Sequence, residues 1–255
     1  MQQTTNITKL IDHTNLQPNA SEDEIKQLVQ EAQEHQFNSV CIRSNWVKLF
    51  SPLYRCSATI NFPQEIYHCN ETNIKDVINS IGNSSIEMKT AEMKQAILDG
   101  ALELDPVLNL KNIKNHDYKA LREELSAYIT LLSSFDKALW LKPIFSCELL
   151  DDYNIEFSID IFSQLVHELN MNNRIKFAYK NSTGFIKAED NFPLKTTSIE
   201  LIKFITQQLN EYDTQKIIKI KAAGGIKTQE QALAIIDAAE GRLSHIGTSN
   251  GISLL

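Results

Sequence analysis

The chain has 255 residues, of which 42% are hydrophobic and 22% are charged, and its formal net charge is −7. This length suits one large core, and a single α/β barrel of about 250 residues would use the whole chain. The acidic balance argues against a nucleic-acid partner, because a phosphate backbone is bound by a concentrated basic face, which this sequence lacks. A small-molecule substrate is therefore favoured.

Targeting signals and cysteine usage indicate the compartment. Residues 1–14 lack the charged start and apolar stretch of a signal peptide, and nowhere do eighteen apolar residues run together to span a membrane. The four cysteines form no C-x-x-C pair, so we expect reduced thiols at Cys41, Cys56, Cys69 and Cys147. The sequence thus predicts a cytoplasmic protein without a membrane partner.

Short β-rich runs alternate with longer stretches of helical period along the chain. This alternation is typical of repeated βα units around a parallel sheet. The eight predicted strands cover residues 10–11, 39–42, 58–60, 102–109, 139–145, 175–179, 217–221 and 244–247.

Helical signals fill the intervals between these strands. Ser21 with Glu24 and Thr228 with Gln231 form capping boxes, and further helices are predicted over 88–98, 118–132, 159–169 and 199–209. The pattern predicts a TIM (β/α)8 barrel, a single α/β domain over residues 1–255. An open doubly wound sheet is the alternative, but no G-x-G-x-x-G follows the first strand.

The segment 64–85 departs from the βα alternation because it is long, polar and rich in asparagine. It exceeds the usual connection by roughly fifteen to twenty residues. Ile74, Val77, Ile78 and Ile81 recur at helical spacing within it, which predicts an insertion with a short extra helix after the third strand. Such an insertion could cover a site or serve an interface.

Charged side chains stand at the ends of predicted strands, where parallel barrels carry their chemistry. Asp12 follows the first strand, Asp105 lies in the fourth, and Lys180 and Lys221 end the sixth and seventh. Burial and a neighbouring cation both lower the pKa of a lysine, and the neutral amine is the form that attacks a carbonyl. The lysines are therefore candidates for Schiff-base chemistry. The alternative is that both extend toward solvent and pair with the two aspartates.

Glycine is scarce, with eight residues in the chain, and five of the six in the last third lie at or after the ends of predicted strands. The stretches 221–225 and 245–251 belong to the ends of the seventh and eighth strands, where barrels commonly bind phosphate through backbone N–H groups. The alternative is that the glycines serve only tight βα turns. The five are Gly184, Gly224, Gly225, Gly247 and Gly251.

Two other polar residues lie near these strands. His13 could touch a site from the end of the first strand, whereas the remaining histidines of helices and loops show no metal-ligand spacing. Cys41 lies within an apolar strand pattern, which favours a small core residue over a nucleophile.

The segments around both lysines carry a family resemblance. Residues 180–185 read KNSTGF, and residues 221–228 read KAAGGIKT. The first resembles the Lys-Thr-Ser-Thr-Gly signature of the deoxyribose-phosphate aldolases, and the second resembles that family's second lysine and glycine pair. Residues 10–14, 39–42, 100–105 and 247–249 match in the same order, so the resemblance spans nearly the whole chain.

This resemblance implies reversible cleavage of 2-deoxy-D-ribose 5-phosphate to D-glyceraldehyde 3-phosphate and acetaldehyde, with no metal or other cofactor. Lys180 would form the Schiff base, while cationic Lys221 would lower its pKa and relay protons. Asp105 would act through a water as general acid and base, and Asp12 would hold Lys221. The phosphate would be bound by Thr183, Gly184, Gly224, Gly225, Gly247, Ser249 and Asn250, with Lys227 as a weaker candidate.

The chain also departs from the family pattern. Asn181 replaces a threonine, Pro106 stands where an apolar residue is usual, and Ser146 and Cys147 stand where a Glu-Thr pair is common. Two alternatives stay open: a Schiff-base aldolase of barrel fold acting on a different phosphorylated sugar, and a non-catalytic barrel that binds a sugar phosphate. The resemblance also suggests a homodimer.

Overall fold

The computed structural model describes residues 6–169, 174–189 and 192–255, and these residues form a closed barrel of eight parallel strands. The strands pair in chain order around the barrel, and the last closes on the first through Asp12 and Gly247. The predicted TIM barrel is therefore confirmed. In a numbering that includes two further strands, the barrel consists of β1 (Ile11–Asn15), β2 (Ser39–Arg43), β3 (Cys56–Ile60), β5 (Glu103–Pro106), β6 (Leu139–Leu141), β7 (Ile175–Lys180), β9 (Ile218–Ala223) and β10 (Leu243–Thr248).

Helices on the outside connect these strands. Both predicted capping boxes are present, at Ser21 with Glu24 and at Thr228 with Gln231. The seventh helix begins earlier than residue 159, because the Asp151 side chain accepts the Asn154 N–H at 2.8 Å and starts the helix there. The helices are α1 (Glu22–Glu34), α2 (Val47–Phe50), α3 (Ile74–Ser80), α4 (Ile86–Leu98), α5 (Leu110–Lys114), α6 (Tyr118–Ser133), α7 (Asp152–Leu169), α8 (Ile199–Tyr212) and α9 (Gln229–Ala238).

Strand boundaries differ most from the prediction where the sequence contains proline. The predicted strands 102–109 and 139–145 end in the structure at Pro106 and at Leu141. Proline has no N–H to donate to a neighbouring strand, so regular pairing stops at Pro106 and just before Pro143. Beyond them only isolated bridges remain, from Ile144 to Val107 and to Lys180.

The insertion packs against the mouth of the barrel. It contains β4 (Tyr67–Cys69), which was not predicted, and α3, which is the expected short helix. β4 pairs in parallel with β8 (Ile186–Ala188), the strand that follows the loop after β7. Phe62, just before the insertion, packs edge-on against Phe185 with ring centroids 4.9 Å apart. The insertion is thereby fixed to the loop that follows Lys180.

Two kinds of interior result from this architecture. Between strands and helices the core is apolar, apart from buried pairs such as Lys89 with Glu124 at 2.6 Å. Inside the barrel the strands bury charged and polar side chains, including Asp12, Glu103 and Lys221. Among the described residues, no helix is both long enough and apolar enough to cross a membrane.

Candidate active site

Lys180 and Lys221 are neighbours on adjacent barrel strands. The parallel register pairs Lys180 of β7 with Lys221 of β9, so both side chains leave the sheet on the same face. Lys180 is 2% exposed and Lys221 is fully buried. The structure therefore brings together the two lysines that the sequence singled out.

One carboxylate oxygen joins these two lysines. Oδ2 of Asp105 accepts a hydrogen bond from Lys180 Nζ at 2.8 Å and a second from Lys221 Nζ at 2.7 Å. Lys221 Nζ also donates to Asp12 Oδ2 at 2.6 Å, which is the contact expected for Asp12. The four residues predicted to be catalytic thus form one cluster at the upper part of the barrel interior.

A third buried lysine, Lys142, belongs to the same cluster and was not predicted from the sequence. Its Nζ lies 3.2 Å from Asp12 Oδ2 and 3.3 Å from Asp105 Oδ1, and it donates to Ser57 Oγ at 3.0 Å. Lys142 directly follows the apolar run of β6, which is the strand-end signal carried by the other two lysines. It was missed because the predicted strand continued to residue 145 and placed Lys142 in its middle.

Glu103 extends this cluster toward the other end of the barrel. It precedes Asp105 by two residues in β5, so both carboxylates point to the same side of the strand. Lys142 Nζ and Arg55 Nε donate to Glu103, and His245 Nε2 lies 3.4 Å from its Oε2. A chain of charged contacts therefore leads from the lysine pair down through the barrel interior.

Asp12, Glu103 and His245 have their ligand atoms within 4.8 Å of one another, which is a spacing that can suit a metal ion. The Lys142 ammonium, however, already contacts both carboxylates. A second cation there would be repelled, so the residues of this group do not fit a metal site.

The pKa shifts separate the roles of the lysines. Burial lowers the pKa of Lys180 below its ordinary value, and the Lys221 cation acts in the same direction against the attraction of Asp105. Burial also disfavours the Lys221 cation, but Asp105 and Asp12 raise its pKa well above the usual range. Lys180 is therefore the member of the pair that more readily becomes a neutral amine.

The carboxylates of the cluster are held ionised. Burial acts to raise the pKa of Asp105, but Lys142, Lys180 and Lys221 together hold it far below its ordinary value. Glu103 is also buried, and Lys142 leads the groups that lower its pKa to about 2. Asp105 is thus an anion that orients both lysines.

The charges of this cluster balance without Lys180. A fourth cation at Lys180 would have no carboxylate of its own, which gives a physical reason for its lowered pKa. Three cationic side chains face three carboxylates, namely Lys142, Lys221 and Arg55 against Asp12, Glu103 and Asp105.

Lys180 borders a cavity of about 530 Å³ at the C-terminal end of the barrel strands. The cavity is large enough for a five-carbon sugar phosphate. His13 and Glu31 also line it, and so does Lys227 from the loop after β9. Six of the seven predicted phosphate-site residues line the cavity: Thr183, Gly184, Gly224, Gly225, Gly247 and Ser249.

The two glycines after β9 are required by the backbone. Gly224 and Gly225 have φ of +94° and +80°, in the region that favours glycine. A Cβ on Gly224 would also lie 2.7 Å from Ser182 Oγ, so the loops after β7 and β9 approach too closely for a side chain. This leaves the Gly224-Gly225 backbone open to the cavity.

Two of the groups predicted to bind the phosphate already form hydrogen bonds within the protein. The Gly184 N–H donates to Ser182 Oγ at 2.8 Å. The Asn250 side chain accepts from Ser253 N at 3.3 Å and caps the 3₁₀ helix Gly251–Leu254, outside the set of cavity-lining residues. The Asn250 oxygen therefore satisfies the start of the 3₁₀ helix, and the role of this side chain in phosphate binding stays a prediction.

Asn181 has a clear structural role although it departs from the family signature. Its side chain accepts from Ala223 N at 2.9 Å and donates to Thr197 Oγ1 at 2.7 Å. It therefore joins the ends of β7 and β9, which carry the two lysines. Pro106, the second departure, still accepts the Ile144 N–H at 2.8 Å through its carbonyl oxygen.

His13 and Cys41 both contact the candidate site. His13 Nε2 lies 2.7 Å from Glu31 Oε2, and its Nδ1 accepts from Gly251 N at 3.3 Å. It thus joins α1 to the 3₁₀ helix near the glycine loops. Cys41 is buried inside the barrel, with Sγ 3.8 Å from Lys221 Nζ and 3.9 Å from Asp105 Oδ2.

The insertion contributes to the rim of this cavity. Ile66 lines it directly, and so do Phe185 and Lys187 from the segment that pairs with β4. Tyr67 N donates to the Phe185 carbonyl at 2.8 Å, so the insertion also fixes the backbone beyond Gly184. Of the two uses expected for the insertion, the structure supports the one at the site.

No family model matches the chain, whereas named proteins resemble it over nearly its whole length. The deoxyribose-phosphate aldolase of Lactiplantibacillus plantarum is 30% identical over 242 residues, which cover 93% of this chain and 94% of that protein. The enzyme of the same name from Brevibacillus brevis is 28% identical over 256 residues, covering 98% and 95%.

Solved structures give the same class. The aldolase QR15 superposes with a TM-score of 0.76 at 28% identity, covering 98% of this chain and 94% of that one. A tetrameric deoxyribose phosphate aldolase from Aeropyrum pernix, at 21% identity, shares the fold with a TM-score of 0.74 and covers 97% and 88%. The fold and the buried lysines together define this protein as a barrel of the aldolase class. Within that class, the chain belongs to the deoxyribose-phosphate aldolase family.

Proposed function

We propose that this protein cleaves 2-deoxy-D-ribose 5-phosphate reversibly to D-glyceraldehyde 3-phosphate and acetaldehyde, through an imine on Lys180. The observation that carries the proposal is the Lys180 amine at the cavity floor, with its pKa lowered and its single carboxylate oxygen shared with Lys221. A lysine in this environment is activated as a nucleophile toward a carbonyl.

The first stage forms the imine. The neutral Lys180 amine adds to C1 of the open-chain sugar, and the resulting carbinolamine loses water after its hydroxyl is protonated. Lys221 starts as a cation and passes a proton to the departing hydroxyl, and it recovers a proton when the imine is hydrolysed; Asp105 holds both lysines in place. Asp12 and Lys142 keep Lys221 and Asp105 oriented from below.

The second stage breaks the C2–C3 bond. The C3 hydroxyl loses its proton, C3 becomes the aldehyde carbon of D-glyceraldehyde 3-phosphate, and the bonding pair moves through C2 to the iminium nitrogen. Protonation of the enamine at C2 and hydrolysis of the imine then release acetaldehyde and regenerate Lys180. Asp105 takes part as base and acid through a water once the imine has removed its contact with the Lys180 ammonium.

The phosphate is placed at the loops after β7, β9 and β10. Gly224, Gly225 and Gly247 offer backbone close to the cavity, and Ser249 adds a hydroxyl. Lys227 and Lys187 border the same cavity and add positive charge at its rim. A phosphate there points the aldehyde end of the sugar toward Lys180.

Borohydride reduction in the presence of acetaldehyde tests the proposal. We expect a stable mass adduct on Lys180 that Lys180→Leu abolishes. If no adduct forms while 2-deoxyribose 5-phosphate still binds, the protein is a sugar-phosphate-binding barrel. A substrate panel that measures release of acetaldehyde against dihydroxyacetone phosphate distinguishes this reaction from that of an aldolase for another sugar phosphate.

Three further expectations belong to this proposal: a single domain over residues 1–255, a cytoplasmic location and a homodimer. The continuous barrel supports the first, and the reduced cysteines expected from the sequence support the second. The Aeropyrum pernix relative is described as a tetramer, so light scattering on the purified chain is the measurement that decides the third.

A further inference from the structure

Glu148 is a buried carboxyl beside the cavity that the proposed reaction does not use. It lies in the 3₁₀ helix Cys147–Leu149 after β6 and is 7% exposed. Its Oε1 accepts a hydrogen bond from Ser182 Oγ, within the segment that follows Lys180. Its Oε2 is buried and has no hydrogen-bond partner among the described residues. A buried carboxyl with one unpartnered oxygen, and with no cation paired to it in the described part of the chain, is costly, so its position requires a role that explains it.

Ser182 is the residue through which Glu148 reaches the phosphate-site loops. The Ser182 hydroxyl gives its single proton to Glu148, so its lone pairs are available to accept, and one of them accepts the Gly184 N–H at 2.8 Å. The same oxygen lies 2.7 Å from the position that a Cβ on Gly224 would occupy. Ser182 is therefore the residue of the loop after β7 that packs against the loop after β9.

The backbone around Glu148 is arranged so that its carboxyl faces this loop. Ser146 has a left-handed φ of +54°, an uncommon conformation for a residue with a side chain, and the 3₁₀ helix starts directly after it. The Glu148 carbonyl also accepts the Lys195 N–H at 3.1 Å, which joins it to the segment before α8. Glu148 is thus fixed on both its main chain and its side chain.

The electrostatic setting agrees with a hydrogen-bonding role. Burial raises the pKa of the Glu148 carboxyl above its ordinary value, while the Ser182 hydroxyl and the backbone amides of Glu148, Gly184 and Thr183 act against this. The Ser182 hydroxyl and the nearby amides therefore all favour the ionised carboxyl. Glu148 is not among the described residues that line the cavity, so it acts on the loop and not on the substrate.

We propose that Glu148 is a positioning residue for phosphate recognition: through Ser182 it fixes the Thr183-Gly184 backbone against Gly224 and so sets the shape of the phosphate-binding side. The left-handed turn at Ser146 brings that carboxyl to the loop. This inference rests on the proposed function, since it assumes a phosphorylated substrate in this cavity.

The test compares 2-deoxyribose 5-phosphate with unphosphorylated 2-deoxyribose as substrates of Glu148→Ala. Loss of the loop anchor should raise the KM for the phosphorylated sugar about tenfold, the effect expected for one hydrogen bond to a charged group. The kcat/KM for 2-deoxyribose should stay within about twofold, because Lys180 is positioned by other contacts. Ser182→Ala should reproduce the effect, and the double variant should add little to it.

Two controls separate positioning from a general loss of stability. Glu148→Gln keeps an acceptor for Ser182 and should restore most of the phosphate preference. Glu124→Gln also removes a buried carboxylate, in α6 and away from the cavity, and should lower the melting temperature without changing the preference. Equal losses on both sugars, or an unchanged preference in Glu148→Ala, would overturn the inference. Acetaldehyde trapping on Lys180 in the same variants reports the proposed function separately.

Discussion

Two buried lysines of this molecule, Lys89 and Lys180, sit in opposite surroundings. Lys89 lies between the strands and the helices, where its Nζ donates to Glu124 and to the carbonyl oxygens of Gly82 and Val107. Lys180 has one acceptor, Asp105 Oδ2, and that oxygen also serves Lys221. Burial lowers the pKa of both lysines, against the attraction of Glu124 at Lys89 and of Asp105 at Lys180.

The difference shows that burial alone does not make a lysine reactive. Lys89 uses all three of its protons in hydrogen bonds and borders no described cavity, so its ammonium is stabilising and inaccessible. Lys180 shares a carboxylate that a second cation already neutralises, and it opens into the cavity. Chemistry is therefore located where the counter-charge is incomplete and a substrate can enter.

The largest effect is expected from Lys180→Leu. Removal of the buried amine that forms the imine should lower aldol cleavage by more than about 10⁴-fold. The fold should persist, because Asp105 keeps its contacts with Lys221 and Lys142. Steady-state assays with circular dichroism check both points, and appreciable residual cleavage would remove Lys180 from the mechanism.

Lys221→Leu should be nearly as damaging to turnover, with a loss of about 10³-fold. The variant loses the proton donor and also the cation that lowers the pKa of Lys180. The pH at which borohydride trapping of acetaldehyde reaches half its maximum should therefore move upward. A trapping profile that coincides with that of the unchanged protein would contradict the assigned pKa effect.

Lys89→Met should show the reverse behaviour. It leaves the Glu124 carboxylate buried without its cation, which costs about 3–5 kcal/mol of unfolding free energy. The kcat per folded molecule should remain unchanged, because Lys89 is remote from the cavity. Urea unfolding and active-site titration by acetaldehyde trapping measure the two quantities, and a fall in kcat would show that the two lysines are coupled.

Acid should unfold the protein through the barrel interior. The pKa of Asp12, Glu103 and Asp105 is lowered in the folded chain, so their contribution to stability is complete above the unfolded pKa near 4. It is lost as the pH falls toward the folded values, which for Glu103 is about 2. Circular dichroism between pH 5 and 2 should follow this loss. Glu103→Gln should flatten the curve, whereas exposed Glu123→Gln should not.

The smallest effect is expected for Asn250→Ala. Its side chain caps a 3₁₀ helix and does not line the cavity, so the KM for the phosphorylated sugar should change less than about threefold. Ser249→Ala, one residue earlier and facing the cavity, should raise that KM about tenfold. If the two variants rank in the opposite order, the capping assignment is wrong.

The barrel and most of the site could be predicted because their signals are local. Asp12, Asp105, Lys180 and Lys221 each stand in or directly after a short apolar run, and parallel strands bring such positions to one end of a barrel. No single residue signal shows that Asp105 Oδ2 is shared, since that depends on the register between β7 and β9.

What the sequence concealed depends on backbone geometry or on distant pairing. Lys142 was hidden because the apolar pattern continues past Pro143 while the strand does not. Glu148 reaches Ser182 only because Ser146 has a left-handed conformation, and a serine in the sequence does not predict such a conformation. The pairing of β4 with β8 joins segments more than a hundred residues apart through three residues each, too short for a periodicity signal.

The shared oxygen of Asp105 has a thermodynamic consequence. Conversion of the Lys180 amine to an unprotonated imine leaves no N–H to donate to that oxygen, and Asp105 can then interact more strongly with Lys221. Occupancy of the cavity by an aldehyde and retention of a proton by Lys221 are therefore linked equilibria, each favouring the other. The pH and the aldehyde concentration therefore both change the protonation of Lys221 and the fraction of Lys180 present as imine.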